Sequence, residues 1–287
     1  METVHVLLPV HNRREVTRGF VRCLKAQTYP EIRLIVIDDG STDGTQEVVR
    51  QEYPSAEFIR GDGTWWWAGC LQRGFDCLRK KWIKETDIVL FANDDTTFAP
   101  DYVERAVRFL DGKKNCMLLS RIRNAVTGEV DESGVCADLR KMTFREAKEP
   151  ALINCLATRG LFLRWGDVQK VGGFHPIILP HYLSDYEFTI RATRRGLRGV
   201  TTESVWLNAD LALTANRDLG ALVGLSFVRG LFSIKYPANP IHQTAFVLLA
   251  VPRQWVLQNL LRIWWPVMKR ILRQGVLRIP VKAGRVA

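Results

Sequence analysis

Short apolar runs alternate with amphipathic stretches through the first half of the chain. The runs are rich in β-branched residues and end in polar turns, which is typical of buried strands, at residues 4–10, 32–37, 57–59 and 87–92. The intervening stretches have apolar residues at helical spacing, over residues 14–27, 68–82 and 101–110. This alternation predicts βαβ units, and hence an α/β fold with a Rossmann-like, mainly parallel sheet flanked by helices.

The pattern changes twice along the rest of the chain. Residues 118–157 are less regular, and we expect short strands of mixed direction there. A further helix is predicted at residues 184–195, and from Gly220 onward the sequence becomes amphipathic and basic. We therefore predict one α/β domain over residues 1–218, with halves of about 1–115 and 116–218, and a basic amphipathic helical tail over 219–287.

Two acidic turns follow predicted strands. Asp39 lies after the second strand, and Asp94 and Asp95 lie after the strand at residues 87–92. Ligands of open parallel sheets bind beyond the carboxyl ends of the strands, so both turns are candidate binding sites. A carboxylate at Asp39, beside a helix N-terminus, can accept the imide N–H of uracil or thymine. Acidic turns after strands are also common without any ligand.

The second turn suits a hard divalent cation. Proteins usually hold Mg²⁺ through one or two carboxylates, while phosphate oxygens of the substrate complete the coordination. Such a cation neutralises the charge that develops on a departing diphosphate. Asp95 is therefore the candidate ligand for Mg²⁺ or Mn²⁺, although the turn could be purely structural.

Two common nucleotide-binding motifs are absent from the sequence. Residues 8–13 read Leu-Pro-Val-His-Asn-Arg where a dinucleotide-binding fold requires a glycine-rich turn, and no Gly-Lys-Ser/Thr run occurs. A nucleotidyltransferase would also require a glycine- and lysine-rich loop after the first strand. A non-catalytic nucleotide- or polysaccharide-binding scaffold would keep the Asp39 turn but would need neither Asp95 nor Asp185.

Two carboxylates and one histidine lie in or just before the predicted helix at residues 184–195. Asp185 and Glu187 lie in its first turn, where the helix dipole favours acidic residues without any further role. A transfer to a hydroxyl group needs a carboxylate that removes the proton, and Asp185 is the candidate. His181 and Glu187 are candidates for the acceptor side, although a locally bonded histidine is an alternative for His181.

Taken together, these motifs resemble the family 2 glycosyltransferases, which have a GT-A fold. Residues 9–12 are similar to the Pro-x-x-Asn signature of that family, and residues 36–41 to its nucleotide-binding motif. Residues 93–95 are similar to a variant of its Asp-x-Asp metal motif. Residues 171–174, followed by Ser184 and Asp185, resemble its glycine turn and catalytic Glu-Asp element. The resemblance covers roughly residues 4–205.

The resemblance implies an inverting transfer from a UDP- or dTDP-linked sugar to a glycan or lipid-linked acceptor. The first half of the domain would bind the nucleotide sugar and the second half the acceptor. Asp39 would bind the base, Asp95 the metal, and Asp185 would act as the catalytic base. The nucleotide-binding set that it implies is Pro9, Asn12, Arg13, Asp39, Trp67 and Asp94. Within the family, the chain looks most similar to rhamnosyltransferase-like enzymes of surface polysaccharide assembly.

The sequence departs from the family pattern in several places. Asn93 stands where the metal motif begins with Asp, and Ser184 replaces the usual Glu. Gln72 stands where the family often has Asn. The segment beside the donor contains three adjacent tryptophans at residues 65–67, and since three neighbouring rings cannot all face one site, at least one should pack into the core.

The net charge of +11 comes from 41 basic and 30 acidic residues and is concentrated at the C-terminus. No Asp or Glu follows Asp218, whereas ten basic residues do: Arg229, Lys235, Arg253, Arg262, Lys269, Arg270, Arg273, Arg278, Lys282 and Arg285. The preceding part has 31 basic residues (41 less 10) against 30 acidic ones and is nearly neutral. The distribution therefore indicates a separate basic segment at the C-terminus and argues against a nucleic-acid partner.

The basic tail contains a predicted amphipathic helix. Its apolar residues recur at helical spacing: Leu257, Leu260, Leu261, Trp264, Met268, Ile271 and Leu272. Arg262, Lys269 and Arg273 share another face, and Pro266 should kink or divide the helix. These features favour binding to an anionic membrane surface. The alternative is a helix that packs on the catalytic domain or on a second copy in a homodimer.

Cysteine spacing and the N-terminal sequence indicate the compartment. Six scattered cysteines without a C-x-x-C pair suggest free thiols in a reducing cytosol. No signal peptide is visible at the N-terminus, and the apolar run at residues 245–251 is too short to span a bilayer. We expect a cytoplasmic protein that is peripheral on the inner face of the plasma membrane.

Overall fold

The computed structural model describes residues 1–132, 134–209 and 224–273 of the chain. The strands are β1 Val4–Val10, β2 Ile32–Asp38, β3 Glu57–Arg60, β4 Ile88–Phe91, β5 Thr96–Thr97, β6 Cys116–Leu119, β7 Arg121–Asn124, β8 Val130–Glu132, β9 Val135–Asp138, β10 Thr143–Glu146, β11 Leu161–Arg164, β12 Arg198–Val200 and β13 Trp206–Ala209. The α-helices are α1 Arg14–Lys25, α2 Thr45–Glu52, α3 Trp66–Lys80, α4 Tyr102–Leu110, α5 Trp165–Val171, α6 Ser184–Arg194, α7 Gly224–Leu231, α8 Pro240–Ala250 and α9 Arg253–Arg273. A short 3₁₀ helix spans Pro150–Leu152.

Seven of these strands form the central sheet, in the order β12-β6-β11-β4-β1-β2-β3. The pairs β1–β2, β2–β3, β1–β4 and β6–β12 are parallel, while β11 runs antiparallel to both β4 and β6. Every residue of β1 is buried, as the uninterrupted apolar run predicts for a strand covered on both faces.

Helices cover both faces of the sheet and create two apolar cores. On one face, Val6 and Leu8 of β1 pack with residues of α1 and α4. On the other face, Leu7 packs with residues of α3, α5 and α6. This arrangement confirms the predicted α/β class with a mainly parallel sheet flanked by helices.

The second half of the domain contains the short mixed strands that the sequence predicts. A four-stranded sheet has the order β5-β13-β7-β8, in which β13 is parallel to β7 and antiparallel to β5. A separate hairpin is formed by β9 and β10.

The C-terminal helices pack on the second half of the domain. Phe246 and Ala250 of α8 share a buried cluster with Ile190 of α6. The side-chain amide of Asn259 in α9 donates a 3.0 Å hydrogen bond to the carbonyl of Leu139, in the turn that joins β9 and β10. These contacts join α8 and α9 to the α/β domain through apolar and polar interactions.

Of the two expected effects of Pro266, the division of the helix is wrong, because α9 is continuous through this residue, and the kink stays a prediction. Pro266 is exposed to solvent, where water can satisfy the carbonyl that loses its N–H partner. No described helix has both the length and the apolarity needed to cross a bilayer. The predicted domain boundary at residue 218 and the basic residues Arg278, Lys282 and Arg285 lie outside the described residues.

Candidate active site

Three polar turns meet at one edge of the central sheet. Strand β1 lies between β4 and β2, and all three strands are parallel, so the turns that follow them are neighbours. These turns carry the residues His11 to Arg13, Asp38 to Gly40, and Asn93 to Asp95. The chain moves from β1 to β2 on one side and returns to β4 on the other, which is the arrangement that opens a ligand crevice in sheets of this type.

Hydrogen bonds join the turn after β1 to the turn after β2. The side-chain oxygen of Asn12 accepts a 2.8 Å bond from the backbone N–H of Thr42, and its own backbone N–H donates to Ser41 Oγ at 2.9 Å. The ring Nδ1 of His11 lies 2.6 Å from the carbonyl oxygen of Asp39. Pro9 is buried within β1. Asn12 therefore holds the shape of the crevice wall in addition to any ligand contact.

Asp39 organises the tryptophan segment. Its Oδ1 accepts the backbone N–H of Gly63 at 2.9 Å, and its Oδ2 accepts those of Trp65 and Trp66, both at 3.0 Å. A carboxylate has about four acceptor positions, so one remains for a nucleotide base. The neighbouring Asp38 keeps a buried Oδ2 without a hydrogen-bond partner among the described residues.

Asp94 is buried and paired with helix α1. Arg13 Nη1 lies 2.9 Å from Asp94 Oδ1, and the hydroxyl of Thr17 donates to Asp94 Oδ2 at 2.8 Å. Burial raises the pKa of Asp94 to about 6, against the opposing effects of Arg13 and Thr17. Both carboxylate oxygens of Asp94 are engaged, so this side chain links the turn to Arg13 and to α1, and nucleotide binding by Asp94 and Arg13 stays a prediction. The contribution of Thr17 is a contact that sequence reasoning missed.

Asp95 and Asn93 present unpaired oxygen atoms. Asp95 Oδ1 and Asn93 Oδ1 are both buried and have no hydrogen-bond partner among the described residues. Among the described residues, the other oxygen of Asp95 contacts Arg13 at 3.4 Å. Buried oxygens without partners fit a hard divalent cation. In the described part of the chain no three His, Cys, Asp or Glu side chains gather as a metal site, so such a cation would need further ligands from the substrate.

Asp185 lies in the first turn of α6, close to the end of β4. The ring of Phe188, one helical turn further on, packs at 5.6 Å on Phe91, the last residue of β4. The carboxylate of Asp185 accepts the backbone N–H of Tyr186 at 2.9 Å. Burial raises the pKa of Asp185 to about 6, which the hydrogen bond and the positive charge of Arg159 partly oppose. A carboxyl group with this pKa is ionised and basic near neutral pH.

Glu187 is occupied by Arg191 in the same helix. Its two carboxylate oxygens accept bonds of 2.8 and 2.9 Å from the guanidinium, and Glu187 is only 3% exposed. Arg191 in turn donates to the carbonyls of Val171 and Gly173. This buried ion pair supports the glycine turn, and a contact of Glu187 with an acceptor stays a prediction.

Gln72 supports the same turn from helix α3. Its Oε1 accepts the backbone N–H of Phe174 at 2.7 Å. Sequence reasoning missed this contact, because the two residues lie far apart in the chain.

The three tryptophans have different surroundings. Trp65 and Trp67 pack partly into the core below the sheet, and the ring N–H of Trp67 donates to Thr158 Oγ1 at 3.2 Å. Trp66 has a backbone φ of 56° and places its ring 5.8 Å from the ring of His181. The expected core position applies to Trp65 and Trp67, whereas Trp66, which the sequence did not single out, faces His181.

Comparison with known proteins identifies the family. Residues 5–162 match the model of the family described as "Glycosyl transferase family 2". The chain belongs to this family. Its sequence is 28% identical over 205 residues to the glycosyltransferase AglE of Haloferax volcanii, covering 67% of this family 2 chain and 62% of AglE. The chain thus spans less than two thirds of that relative's length.

Solved structures share the fold of this family 2 chain. The structure of residues 1–349 of S. aureus TarS with UDP-GlcNAc aligns with a TM-score of 0.58 at 17% identity, covering 97% of this chain and 76% of that one. The mannosyltransferase PcManGT of Pyrobaculum calidifontis, with GDP-Man and Mn²⁺, aligns with a TM-score of 0.52 at 17% identity, covering 93% and 75%. At 17% identity, these alignments show a shared fold only.

Proposed function

We propose that this chain is an inverting glycosyltransferase that depends on Mg²⁺ or Mn²⁺. It transfers a sugar from a UDP- or dTDP-linked donor to a hydroxyl group of a glycan or lipid-linked acceptor in cell-surface polysaccharide assembly. The observation that carries the proposal is the combination of unpaired oxygens on Asn93 and Asp95 with a basic carboxylate on Asp185. The nucleotide sugars in the TarS and PcManGT structures, and the Mn²⁺ in the latter, support this choice of ligands.

The geometry suggests a division of labour between the residues. Asp39 contacts the base of the donor, and Asn93 and Asp95 hold the cation. A bound divalent cation neutralises the charge on the departing diphosphate. Asp185 accepts the proton of the acceptor hydroxyl. The hydroxyl oxygen bonds to the anomeric carbon as the bond from that carbon to the donor phosphate oxygen breaks. A single displacement of this kind inverts the configuration at the anomeric carbon.

A ligand panel tests the proposal. UDP-GlcNAc, dTDP-rhamnose and GDP-mannose are screened by thermal shift with Mn²⁺, with Mg²⁺ and with EDTA. We expect at least one donor to raise the melting temperature only with a cation, and to release nucleoside diphosphate slowly by hydrolysis. Donor binding without any turnover would instead support a non-catalytic scaffold. Release of pyrophosphate from a nucleoside triphosphate would support a nucleotidyltransferase.

Helix α9 presents two apolar faces. One face packs on protein, where Val267 and Ile271 contact Phe227 and Leu231. The other face is exposed: Leu257 by 70%, Leu261 by 61%, Trp265 by 63%, Met268 by 44% and Leu272 by 58%. We call these five residues the exposed α9 stripe. Their spacing places them on one side of the helix.

We propose that the exposed α9 stripe inserts into the interface of an anionic membrane, at its cytoplasmic face. Arg262 and Lys269 are exposed beside the stripe, and no acidic residue follows Asp218. Each basic side chain close to an anionic leaflet contributes about 1 kcal/mol. The six cysteines are free in the structure, which suits a reducing compartment.

Vesicle co-sedimentation tests this membrane proposal. Replacing Leu257 and Leu261 with Ser should weaken binding to phosphatidylserine vesicles at least about tenfold, because both side chains would leave the acyl boundary. Replacing the exposed Val126 and Ile177 with Ser is the matched control and should change nothing. Binding should also weaken as salt rises. If both variants bind alike and the stripe variant instead loses a dimer, α9 contacts a second copy.

A further inference from the structure

The segment between α7 and α8 reaches back to the tryptophan segment beside Asp39. Lys235 Nζ lies 5.7 Å from the centre of the Trp66 ring. His181, just before α6, lies on the same ring at 5.8 Å between centroids. One aromatic side chain therefore contacts a cation from the C-terminal segment and an imidazole from the acceptor half of the domain.

Two imidazole nitrogens in this region lack partners. His181 Nδ1 and His242 Nδ1 are both buried and have no hydrogen-bond partner among the described residues. Burial lowers the pKa of both histidines, and for His181 the charges of His242 and Lys235 lower it further. Both rings are therefore neutral near pH 7, and each can donate one hydrogen bond and accept another. Buried polar atoms without protein partners are positions where a ligand can bind.

The backbone at Trp66 is strained. A bulky residue with a φ of 56° is an outlier, and such conformations persist where function requires the side chain in one place. The backbone N–H groups of Trp65 and Trp66 are held by Asp39, so the ring is fixed relative to the base-binding turn. Helix α3 thus presents an aromatic face beside the donor crevice.

Lys235 supplies an unpaired charge. It is exposed, and in the described part of the chain it forms no ion pair with a carboxylate. No acidic residue follows Asp218 in the sequence, so the C-terminal segment cannot neutralise it locally. A lysine ammonium is a common ligand of phosphate groups.

We propose that Trp66, His181, Lys235 and His242 form an acceptor subsite that binds a sugar linked to a phosphate group. The sugar ring stacks on Trp66, the phosphate pairs with Lys235, and the imidazoles bond to oxygens of the same ligand. The proposal rests on the transferase function above and names the class of acceptor. It also gives the C-terminal segment a role in the site, in addition to any role at a membrane.

The test uses the full chain with its donor site filled. The nucleoside diphosphate that gives the largest thermal shift is added in excess with Mn²⁺, and glucose 1-phosphate or methyl glucoside is then titrated by calorimetry. Lys235→Gln should weaken binding of glucose 1-phosphate about tenfold and leave methyl glucoside unchanged. Lys114→Gln removes the same charge from the exposed loop between α4 and β6 and should change neither affinity.

Trp66→Asn tests the stacking contact. Asparagine tolerates a left-handed backbone, so this variant should keep its melting temperature and its nucleoside diphosphate shift. It should weaken the binding of both glucose 1-phosphate and methyl glucoside. The proposal is overturned if Lys235→Gln binds glucose 1-phosphate like the unmodified chain, or if Lys114→Gln loses as much affinity. If no nucleoside diphosphate shifts the melting temperature, the transferase function itself fails.

A second arm identifies the source of the phosphate. Vesicles of phosphatidylcholine with and without a polyprenyl phosphate are compared for the unmodified chain and Lys235→Gln. If the polyprenyl phosphate increases vesicle binding of the unmodified chain but not of Lys235→Gln, the acceptor is lipid-linked. Lysine-dependent binding of glucose 1-phosphate without that gain supports a soluble phosphorylated glycan.

Discussion

The pH dependence of turnover provides a sharp test of Asp185. Burial raises the pKa of this carboxyl from 3.8 to about 6. A general base works only when ionised, so turnover should rise with pH through about 6. From that pKa, about nine tenths of the enzyme carries the ionised form at pH 7 and about one tenth at pH 5. The value of kcat should therefore fall about tenfold between pH 7 and pH 5. A carboxyl group with an ordinary pKa would produce no such fall.

The variant Asp185→Asn tests whether Asp185, and no other carboxyl group, produces the rise of turnover near pH 6. The amide oxygen can still accept the N–H of Tyr186, so we expect a folded protein with unchanged donor affinity. Loss of the base should lower kcat about 10²- to 10⁴-fold and abolish the pH-dependent rise near 6. The main rival is Asp94, whose pKa is also about 6.

The assay is release of nucleoside diphosphate with saturating donor, acceptor and Mn²⁺ across pH 5 to 8. A residual activity in Asp185→Asn that keeps the rise near pH 6 would assign the titration to another group, and Asp94 would be the first candidate. NMR of the product adds an independent test, because retention of the donor's anomeric configuration would refute a single displacement.

Three further outcomes are expected. Asp95→Ala should abolish metal-dependent turnover and the Mn²⁺-dependent thermal shift without unfolding the chain; full activity in EDTA would exclude the metal role. Glu187→Gln should lower the free energy of unfolding in urea by roughly 2–4 kcal/mol, because Arg191 loses a buried charge partner. The control Glu104→Gln, on the surface, should lower it by less than about 0.5 kcal/mol. Equal urea midpoints for the two variants would contradict this reasoning. Gly61→Ala would place a Cβ 2.7 Å from Asp39 Oδ1, so nucleotide affinity by calorimetry should fall about tenfold, and an unchanged Kd would show that the Asp39 loop yields freely.

The sequence alone predicted the sheet edge and the turns that meet there. Strands β1, β2 and β4 are continuous apolar runs, and helices follow at a regular spacing, so their parallel direction follows from general rules of α/β folds. The order of the strands in the sheet comes from the structure. The placement of Asp39 and Asp95 at one edge needed no further information. The chemistry proposed for them follows from this position, because ligands of parallel sheets bind at that edge and carboxylates there can hold a cation or a base.

Only the tertiary structure decided which partners these side chains have. Asp39 bonds to the tryptophan segment, and Gln72 bonds to Phe174, because packing brings together groups that local patterns do not relate. The helical period of α9 predicted a basic amphipathic helix but could not show that one apolar face packs on α7 while another is exposed. Lys235 reaches Trp66 because α8 packs against α6, and a contact between such distant residues depends on how apolar surfaces are buried across the whole chain.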